Sequence, residues 1–424
     1  MTKDEYGYMK EHFSISEVAD MLSVSKETLR RWDKNGKLSP IRHPINNYRV
    51  YHIEQLRLFE QLGFLFSTRS NLNIKPENKY QVVELFAGCG GLALGMEKAG
   101  LNCILLNDSD QWACKTLKQN RPNWNVIQGD VRDLDFKTYY KKADVVTGGF
   151  PCQAFSYAGK KFGFDDARGT LFYEYARAVK EIQPAICIGE NVRGLLAHDD
   201  GKTLESMKSI LSELGYTVLN PKLMKAIFYK VPQKRERLII VAIRNDLAHL
   251  PFNFPEPYSK IYTVGDALKK SELFNTNVPI SKGQLYPEKK KQIMRLVPPG
   301  GYWRDLPLDI QKDYMQKSFY LTGGKTGMAR RMSWDEPSLT LTCAPAQKQT
   351  ERCHPEEDRP FTIREYARIQ TFPDNWDFAG SVNQQYKQIG NAVPVNLSYE
   401  IALSIIEFLN KVSLVKTNQL ANAA

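Results

Sequence analysis

Short apolar runs that end in glycine or an acidic residue recur between residues 80 and 191, and they constrain the fold more than any other feature. "YQVVELFAGCGG" is an apolar run followed by a glycine turn, "NCILLN" leads to Asp108, and "NVIQ" leads to Gly129 and Asp130. "ADVVTGG" and "AICIGEN" continue the series. Strands that alternate with helical segments indicate a parallel sheet whose ligand site lies at the carboxyl ends of the strands. We therefore predict an α/β fold with a Rossmann-like sheet.

The first glycine turn has the spacing of a nucleotide-binding turn. Gly88, Gly90 and Ala93 match the G-x-G-x-x-(G/A) pattern, which lets the backbone approach a ligand closely. Asp108 follows about 20 residues later, where an acidic side chain can accept hydrogen bonds from a ribose. This spacing fits a dinucleotide and S-adenosylmethionine equally well, so the residues beyond the turn must decide between them.

Reactive side chains follow the fourth and fifth predicted strands. In "GGFPCQAFS", Cys152 comes directly after Pro151, and it is either a small buried apolar residue or a nucleophile. The fifth strand ends at Glu190 and Asn191, so this carboxyl group and the thiol are expected at the same sheet edge. A thiolate beside a carboxylic acid provides a nucleophile with a proton donor.

Two arginines begin the next apolar strand. Arg235 and Arg237 in "VPQKRERLIIVAIR" are two residues apart, so on a strand both side chains lie on one face. A pair of guanidinium groups there can bind phosphate or the carbonyl edge of a base.

The order of the motifs carries more information than any one of them. "ELFAGCGG", "GGFPCQAFS", "RGTLF", "GENVRG", "VPQKRER", "REYARIQTFPDNW" and "QIGNAVPV" together resemble the cytosine-5 DNA methyltransferase family, from Tyr80 to about Leu409. The resemblance implies S-adenosylmethionine as cofactor and a cytosine flipped out of duplex DNA as substrate. It also implies that Cys152 attacks C6, that Glu190 contacts N3 and the amino group, and that Arg237, supported by Arg235, holds O2.

The resemblance also implies a set of cofactor residues. The turn that binds the methionine side would contain Phe86, Gly88, Gly90 and Gly91, with Pro151 nearby. Asp108 would bind the ribose and Asp130 the adenine amino group. Asn391 and Val393 match a late motif of the same pocket, so the C-terminal segment must fold back beside residues 86 to 91. A helix near 396 to 410 would complete the fold.

The N-terminal segment has a different pattern. In "FSISEVADMLSVSKETLRRWDKNGKLSP", Ser14 and Glu17 form a capping-box signature for one helix, and Ser25 can cap a second. Residues 13 to 62 resemble the MerR-type winged helix-turn-helix family, with Asn46 and Asn47 in the wing turn, and this implies duplex DNA binding. A helical hairpin that only packs on its neighbour is the alternative. The predicted DNA contacts in this unit are Lys26, Thr28, Arg30, Arg31 and Arg49.

Two further regions are predicted to meet DNA. Residues 153 to 169 contain glycines together with Lys160 and Lys161, and we expect a mobile loop that closes over DNA. The segment from 250 to 360 is rich in proline, glycine and basic residues, and in this family it is the target-recognition region. Its candidate contacts are Arg330, Arg331, Lys348 and Arg352, although a solvated charged face is nearly as good an interpretation for each of them.

Composition and charge agree with a nucleic-acid partner. The net charge is +11, which suits a polyanion. The chain has 42% hydrophobic and 25% charged residues, and it lacks an apolar run of the ~20 residues that a membrane helix needs. Seven cysteines without a C-x-x-C pair predict neither a disulfide framework nor a metal site. We expect a cytoplasmic protein.

The predicted division of the chain follows from these patterns. We expect an all-α winged helix-turn-helix domain at 1–66, a linker at 67–79, a catalytic domain at 80–249 and 361–412, a small loop-rich target-recognition domain at 250–360, and a flexible tail at 413–424. The predicted function is site-specific cytosine-5 methylation of double-stranded DNA, alongside a restriction endonuclease, with possible binding of the N-terminal domain to its own promoter. Methylation of transfer RNA, or a mainly regulatory DNA-binding role, remain as alternatives.

Overall fold

The computed structural model describes residues 11–43, 47–66, 74–151, 170–322 and 325–423, with only the backbone of 418–423. Cys152, Lys160 and Lys161, and the whole of the predicted loop at 153–169, lie outside the described residues. The same holds for Asn46 in the predicted wing turn.

One large mixed sheet forms the centre of the molecule. Its described strands are Gln81–Leu85 (β4), Asn102–Asp108 (β5), Val126–Gln128 (β6), Val145–Gly148 (β7), Ile186–Val192 (β8), Tyr216–Val218 (β9), Lys222–Lys225 (β10) and Glu236–Arg244 (β12). The strand order is β10-β12-β8-β7-β4-β5-β6, and β9 also pairs with β12. The strands β4 to β8 are parallel, whereas β12 runs antiparallel to β8. The predicted Rossmann-like α/β fold is confirmed.

Helices cover both faces of the sheet because its central strands are apolar on both sides. The first helices are Gly91–Ala99 (α3), Gln111–Asn120 (α4), Leu171–Ile182 (α5) and Lys202–Glu213 (α6). Alternate residues of β4 enter different cores: Val82 packs with α3, and Val83 packs with α5 and α6. Every parallel strand therefore points its carboxyl end toward one edge, where the connecting turns meet.

The C-terminal helices close one face of the sheet. They are Ile363–Ile369 (α10), Val382–Asn391 (α11) and Val395–Ala423 (α12), and α12 packs along α3. By length and composition, residues 382–417 could cross a membrane, but 72% of the qualifying stretch is buried in the protein, as in a core helix.

The helix predicted near 396 to 410 is present, and it extends into the segment predicted as a tail from residue 413. The helix α12 continues to Ala423, and its contacts with the protein extend at least to Ser413. Val412 is buried, and the Ser413 hydroxyl accepts a hydrogen bond from the Asn78 side chain.

The N-terminal unit combines helices with a small sheet. It contains His12–Ser14 (β1), Ile15–Leu22 (α1), Lys26–Lys34 (α2), Ile41–Arg42 (β2) and Arg49–His52 (β3). Both predicted helix caps are present: Ser14 and Glu17 form the capping box, and Ser25 accepts the Thr28 backbone N–H. The unit is not all-α as predicted, because β1, β3 and β2 pair into an antiparallel sheet that encloses Phe13 and Tyr51.

A charged cluster joins the N-terminal unit to the rest of the protein. Lys26 Nζ lies 2.7 Å from Glu336 Oε1, and the Ser16 hydroxyl donates to the same oxygen at 3.1 Å. Lys234 Nζ lies 3.0 Å from Asp20 and 3.4 Å from Glu336. These five residues, the docking cluster below, hold α1 and the start of α2 against the main body.

Residues 250 to 360 have more structure than the predicted loops. They contain Val264–Leu268 (α7), Glu288–Arg295 (α8), Leu308–Met315 (α9) and Ser338–Leu339 (β13), and β13 pairs with Gln233–Lys234 (β11). The helix α7 packs into the main core, whereas α8 and α9 enclose a separate core around Met294, Trp303 and Met315.

Candidate active site

A cavity of about 730 Å³ lies at the carboxyl edge of the parallel strands. Its wall is formed by the turns that follow β4, β5, β7 and β8, by the start of β12, by residues 340–343 and by the segment between α11 and α12. Most of the residues predicted for catalysis and cofactor binding reach this cavity. Those on its wall are Phe86, Gly88, Gly91, Asp108, Pro151, Glu190, Arg235, Arg237, Asn391 and Val393.

Asp108 holds the glycine turn in place. Its carboxylate accepts the Gly88 backbone N–H at 2.8 Å and the Asp110 backbone N–H at 2.8 Å. Burial is the main cause that raises the pKa of Asp108 above its ordinary value. Phe86 and Gly88 both have positive φ, so the chain reverses sharply and leaves the backbone of the turn at the cavity wall.

The C-terminal segment folds back onto this turn, as predicted. A Cβ added to Gly91 would lie 2.2 Å from the Val393 carbonyl oxygen, so only glycine permits the two backbones to approach this closely. Gly90 differs from its neighbour because it lies outside the cavity wall, and an added Cβ would point at Leu117, 2.6 Å away. The backbone φ of +89° and the lack of space for a Cβ are enough to require glycine at position 90. No ligand contact is needed to explain this residue.

Asp130 is not at the cavity. Its side chain is exposed, accepts the Arg132 backbone N–H, and pairs with the Arg132 guanidinium at 3.0 Å. Asp130 is not among the residues that line this cavity, so its contact with adenine stays a prediction.

The Glu190 carboxylate and the Arg237 guanidinium form a buried ion pair on adjacent strands. The two side chains meet because β8 and β12 pair with Val192 opposite Arg237. The next residue, Asn191, donates from Nδ2 to the Phe150 carbonyl oxygen at 2.9 Å. This bond fixes the segment that ends at Pro151, directly before Cys152, beside the ion pair.

Arg235 has a different partner set from Arg237. It is 2% exposed and donates from Nη2 to the carbonyl oxygens of Gly390 and Asn391 at 3.0 and 3.3 Å. Burial lowers the pKa of its guanidinium, and carbonyl oxygens accept hydrogen bonds from Nη1 and Nη2, whereas Nε has no partner among the described residues. Arg235 thus ties the C-terminal segment to the strand that carries Arg237.

Sequence reasoning missed several contributions to the cavity. Glu84, in the middle of β4, is 1% exposed and lies on the wall, and residues 340–343 and Lys387 also contribute. The signal for Glu84 was available, because a charged residue inside the apolar run "VVELF" is unusual without a function. Residues 340–343 carried no such signal, since they reach the cavity only through the pairing of β13 with β11.

Two of the candidate DNA contacts in the second half of the chain, Arg331 and Arg352, are buried. Arg331 is 3% exposed, and its guanidinium donates to the carbonyl oxygens of Val297, His354 and Glu357 and to the Asp358 carboxylate. A buried guanidinium whose N–H groups are all hydrogen-bonded holds the surrounding backbone segments together and is not available to DNA. Arg352 is buried in the same way and donates to the Thr340 carbonyl oxygen, whereas Arg330 is half-buried with its guanidinium over the Tyr302 ring.

The basic residues of the N-terminal unit differ in availability. Lys26 is 41% exposed and is paired with Glu336 in the docking cluster, and Arg49 pairs with Asp33 at 3.3 Å. Thr28 is hydrogen-bonded to the Ser25 hydroxyl. Arg30 and Arg31 are exposed on α2, and Arg30 forms a surface pair with Glu27. These two arginines keep their guanidinium groups at the surface.

The parallel strands, with an acid, two arginines and a glycine turn at their carboxyl edge, define a Rossmann-like α/β protein with a ligand cavity at that edge. The same fold occurs in a solved structure described as a DNA modification methyltransferase encoded within a prophage of Escherichia coli, with a TM-score of 0.62 and 24% identity over 78% of this chain and 100% of that one. Residues 80–407 match the family of C-5 cytosine-specific DNA methylases, and the chain belongs to that family. Residues 14–51 match the MerR family of regulatory proteins.

Curated relatives extend over nearly the whole chain. The Type II methyltransferase M.Eco47II of Escherichia coli is 65% identical over 96% of this chain and 98% of its own length. M.PspPI of Psychrobacter sp. (strain TA137) is 59% identical over 94% and 97%, and M.Sau96I of Staphylococcus aureus is 47% identical over 97% and 91%. The protein is therefore an enzyme, a DNA (cytosine-5-)-methyltransferase.

Proposed function

We propose that the protein is the modification enzyme of a Type II restriction-modification system and methylates one cytosine within a short duplex sequence. The relatives that cover nearly all of the chain bear the name Type II methyltransferase. The observation that carries the proposal is the buried Glu190–Arg237 pair, which lines a cavity of about 730 Å³ together with Pro151. A functional link to a restriction endonuclease and a cytoplasmic location belong to the same proposal.

S-adenosylmethionine is the proposed cofactor, and the cavity wall fits it. The Asp108 carboxylate suits ribose hydroxyls, the backbone at Gly88 is open to a ligand, and the buried Glu84 carboxyl has an oxygen without a partner among the described residues. When bound, the cofactor supplies an activated methyl group. Phe86, Gly91, Pro151, Asn391 and Val393 complete the proposed binding wall, which does not include Gly90 or Asp130.

The proposed chemistry at the base uses the side chains around the ion pair. The Cys152 thiolate adds to C6 of a flipped cytosine, which makes C5 electron-rich. Glu190 hydrogen-bonds N3 and the amino group and so stabilises the charge that develops on the ring, and Arg237 donates to O2. Loss of the C5 proton after methylation expels Cys152. Arg235 positions Arg237 and the C-terminal segment through its bonds to the carbonyl oxygens of Gly390 and Asn391.

The N-terminal unit is proposed to bind duplex DNA, including its own promoter, through Arg30 and Arg31 on α2. The match of residues 14–51 to MerR regulators and the exposure of both arginines support this. We also propose that residues 80–249 and 361–412 form the catalytic domain, and that residues 250–360 form the target-recognition domain.

Transfer of labelled methyl groups to mixed-sequence duplex DNA, followed by bisulfite sequencing, tests the proposed function. We expect 5-methylcytosine at one short motif with the wild type, and none with Glu190→Gln. Glu205→Gln, which changes an exposed glutamate on α6, is the matched control and should methylate like the wild type. Labelling of transfer RNA but not of duplex DNA would overturn the proposal.

A further inference from the structure

The end of the N-terminal unit that is proposed to meet DNA faces the rest of the protein. In helix-turn-helix proteins, the N-terminal residues of the second helix enter the major groove and the first helix crosses the phosphate backbone. Here α2 begins at Lys26, whose Nζ lies 2.7 Å from Glu336 Oε1. The hydroxyl of Ser16, in the first turn of α1, donates to the same oxygen at 3.1 Å. The first turns of both helices therefore contact one carboxylate of the main body.

The Glu336 carboxylate resembles a DNA phosphate in its charge and its acceptor oxygens. A hydroxyl and an ammonium group that meet at one anionic oxygen make the contacts with which serine and lysine bind backbone phosphates. Glu336 belongs to the segment before β13, and Lys234 Nζ lies 3.4 Å from its other oxygen, Oε2. Ser16 and Lys26 are thus a pair of donors that already holds an anion, and that anion comes from the same chain.

The contact between α1 and the main body has the features of an interface that can separate. A cavity of about 250 Å³ lies between the turn that follows α1 and the residues Lys225 and Lys234. Asp20 Oδ2 is buried without a hydrogen-bond partner among the described residues, although Oδ1 pairs with Lys234 at 3.0 Å. A void and an unpaired polar atom each cost free energy in the docked arrangement. The interface therefore lacks the complete packing of a permanent core.

We propose that Ser16 and Lys26 form a phosphate site for duplex DNA, and that Glu336 occupies this site while the N-terminal unit is docked. The inference rests on the proposed DNA binding of that unit. Docking and DNA binding exclude each other at this site, because the two donors cannot hold a carboxylate and a phosphate in the same position. Arg30 and Arg31 stay exposed in the docked arrangement, so the unit then offers DNA these two arginines without the phosphate contact that fixes the orientation of α2.

Fluorescence anisotropy of the full-length protein with a labelled duplex of A·T pairs tests the phosphate site. This probe has no target cytosine, so base flipping does not contribute, and a phosphate contact does not depend on sequence. Glu336→Gln removes the competing charge and should tighten binding by about tenfold, the scale of one charge-assisted bond. Glu205→Gln makes the same change of charge on an exposed glutamate of α6 and is the matched control.

Lys26 should matter for DNA binding only when Glu336 is gone. Lys26→Gln alone should change binding by less than about twofold, because Glu336 already occupies that lysine, whereas in the Glu336→Gln background it should abolish the gain. Ser16→Ala in the same background should also lower the gain. An undiminished gain in either double variant would overturn the proposal, because loss of an acidic charge alone would then explain it. Circular dichroism checks that each variant is folded.

The outcomes also separate this inference from the proposed DNA binding of the N-terminal unit. If Glu336→Gln binds the duplex like the wild type, the phosphate site is overturned. Replacing Arg30 and Arg31 by glutamine in the wild type then tests the unit itself. Weaker binding supports its contact with DNA, and unchanged binding overturns that proposal as well.

Discussion

At the residue scale, the arginines of this protein have different roles, and the burial and the partners of each guanidinium define its role. Arg237 meets Glu190 at the cavity, Arg235 holds backbone carbonyl oxygens, and Arg331 organises a distant region. The sequence identified the first two by their spacing on a strand. It could not distinguish Arg331 from a DNA contact, because the carbonyl oxygens that surround it come from residues 294 to 357, brought together only by the fold.

The buried carboxyl group of Glu84 should make the stability of the protein depend on pH. Its pKa is raised from 4.5 to about 8 in the folded protein. The free energy of unfolding is therefore highest, as far as Glu84 is concerned, below pH 4.5, and this contribution is lost as the pH rises through 8. Glu84→Gln removes this loss, and the ligand-free variant should unfold with a free energy higher than the wild type by up to about 5 kcal/mol above pH 8.5. At pH 4.5 the two should be similar. Urea unfolding at both pH values measures this, and equal stability at pH 8.5 would contradict it.

At the element scale, the strands and helix caps were predictable because each has a local signal. The apolar runs ending at Asp108 and Glu190 became β5 and β8, and the pairs at Ser14 and Ser25 became helix starts. The direction of β12, the length of α12 and the sheet of the N-terminal unit were not predictable, because they depend on pairing between distant segments.

The packing of α3 against the C-terminal segment should tolerate no side chain at Gly91. Gly91→Ala places a methyl group 2.2 Å from the Val393 carbonyl oxygen, so the segment must move. We expect a loss of about 1 to 3 kcal/mol in the free energy of unfolding and weaker cofactor binding. Gly63→Ala is the control, because an added Cβ there meets nothing within 4 Å. Unchanged stability and binding of Gly91→Ala would show that the segment is not fixed here.

At the scale of the whole molecule, the docking cluster links the N-terminal unit to the part of the chain that carries the active-site arginines. Glu336 lies two residues before β13, which pairs with β11, and β11 leads directly to Arg235. The order of domains was visible in the sequence, but this contact was not, because it joins residues more than 300 positions apart.

Removing the charge of Glu336 should release the N-terminal unit. Burial alone would raise the pKa of Glu336, but Lys234 and Lys26 lower it to about 2. The contribution of the Glu336 carboxylate to the free energy of unfolding is therefore present above pH 4.5 and is lost as the pH falls toward 2. At neutral pH, Glu336→Gln should make residues 11–66 exchange their amide hydrogens faster by about tenfold, while β4 to β8 stay protected. Glu27→Gln, which breaks only the surface pair with Arg30, is the control. Equal exchange in both variants would contradict the role of the cluster.

In the proposed mechanism, Cys152 attacks a cytosine that Glu190 and Arg237 hold. Duplex DNA with 5-fluorocytosine tests it most directly, because fluorine at C5 cannot leave as a proton does and the thiol adduct persists. We predict a covalent protein–DNA complex with the wild type in the presence of S-adenosylmethionine, with the DNA attached at Cys152 by peptide mass analysis. Cys152→Ser should form none. An adduct at another residue, or one that forms equally in Cys152→Ser, would contradict the account.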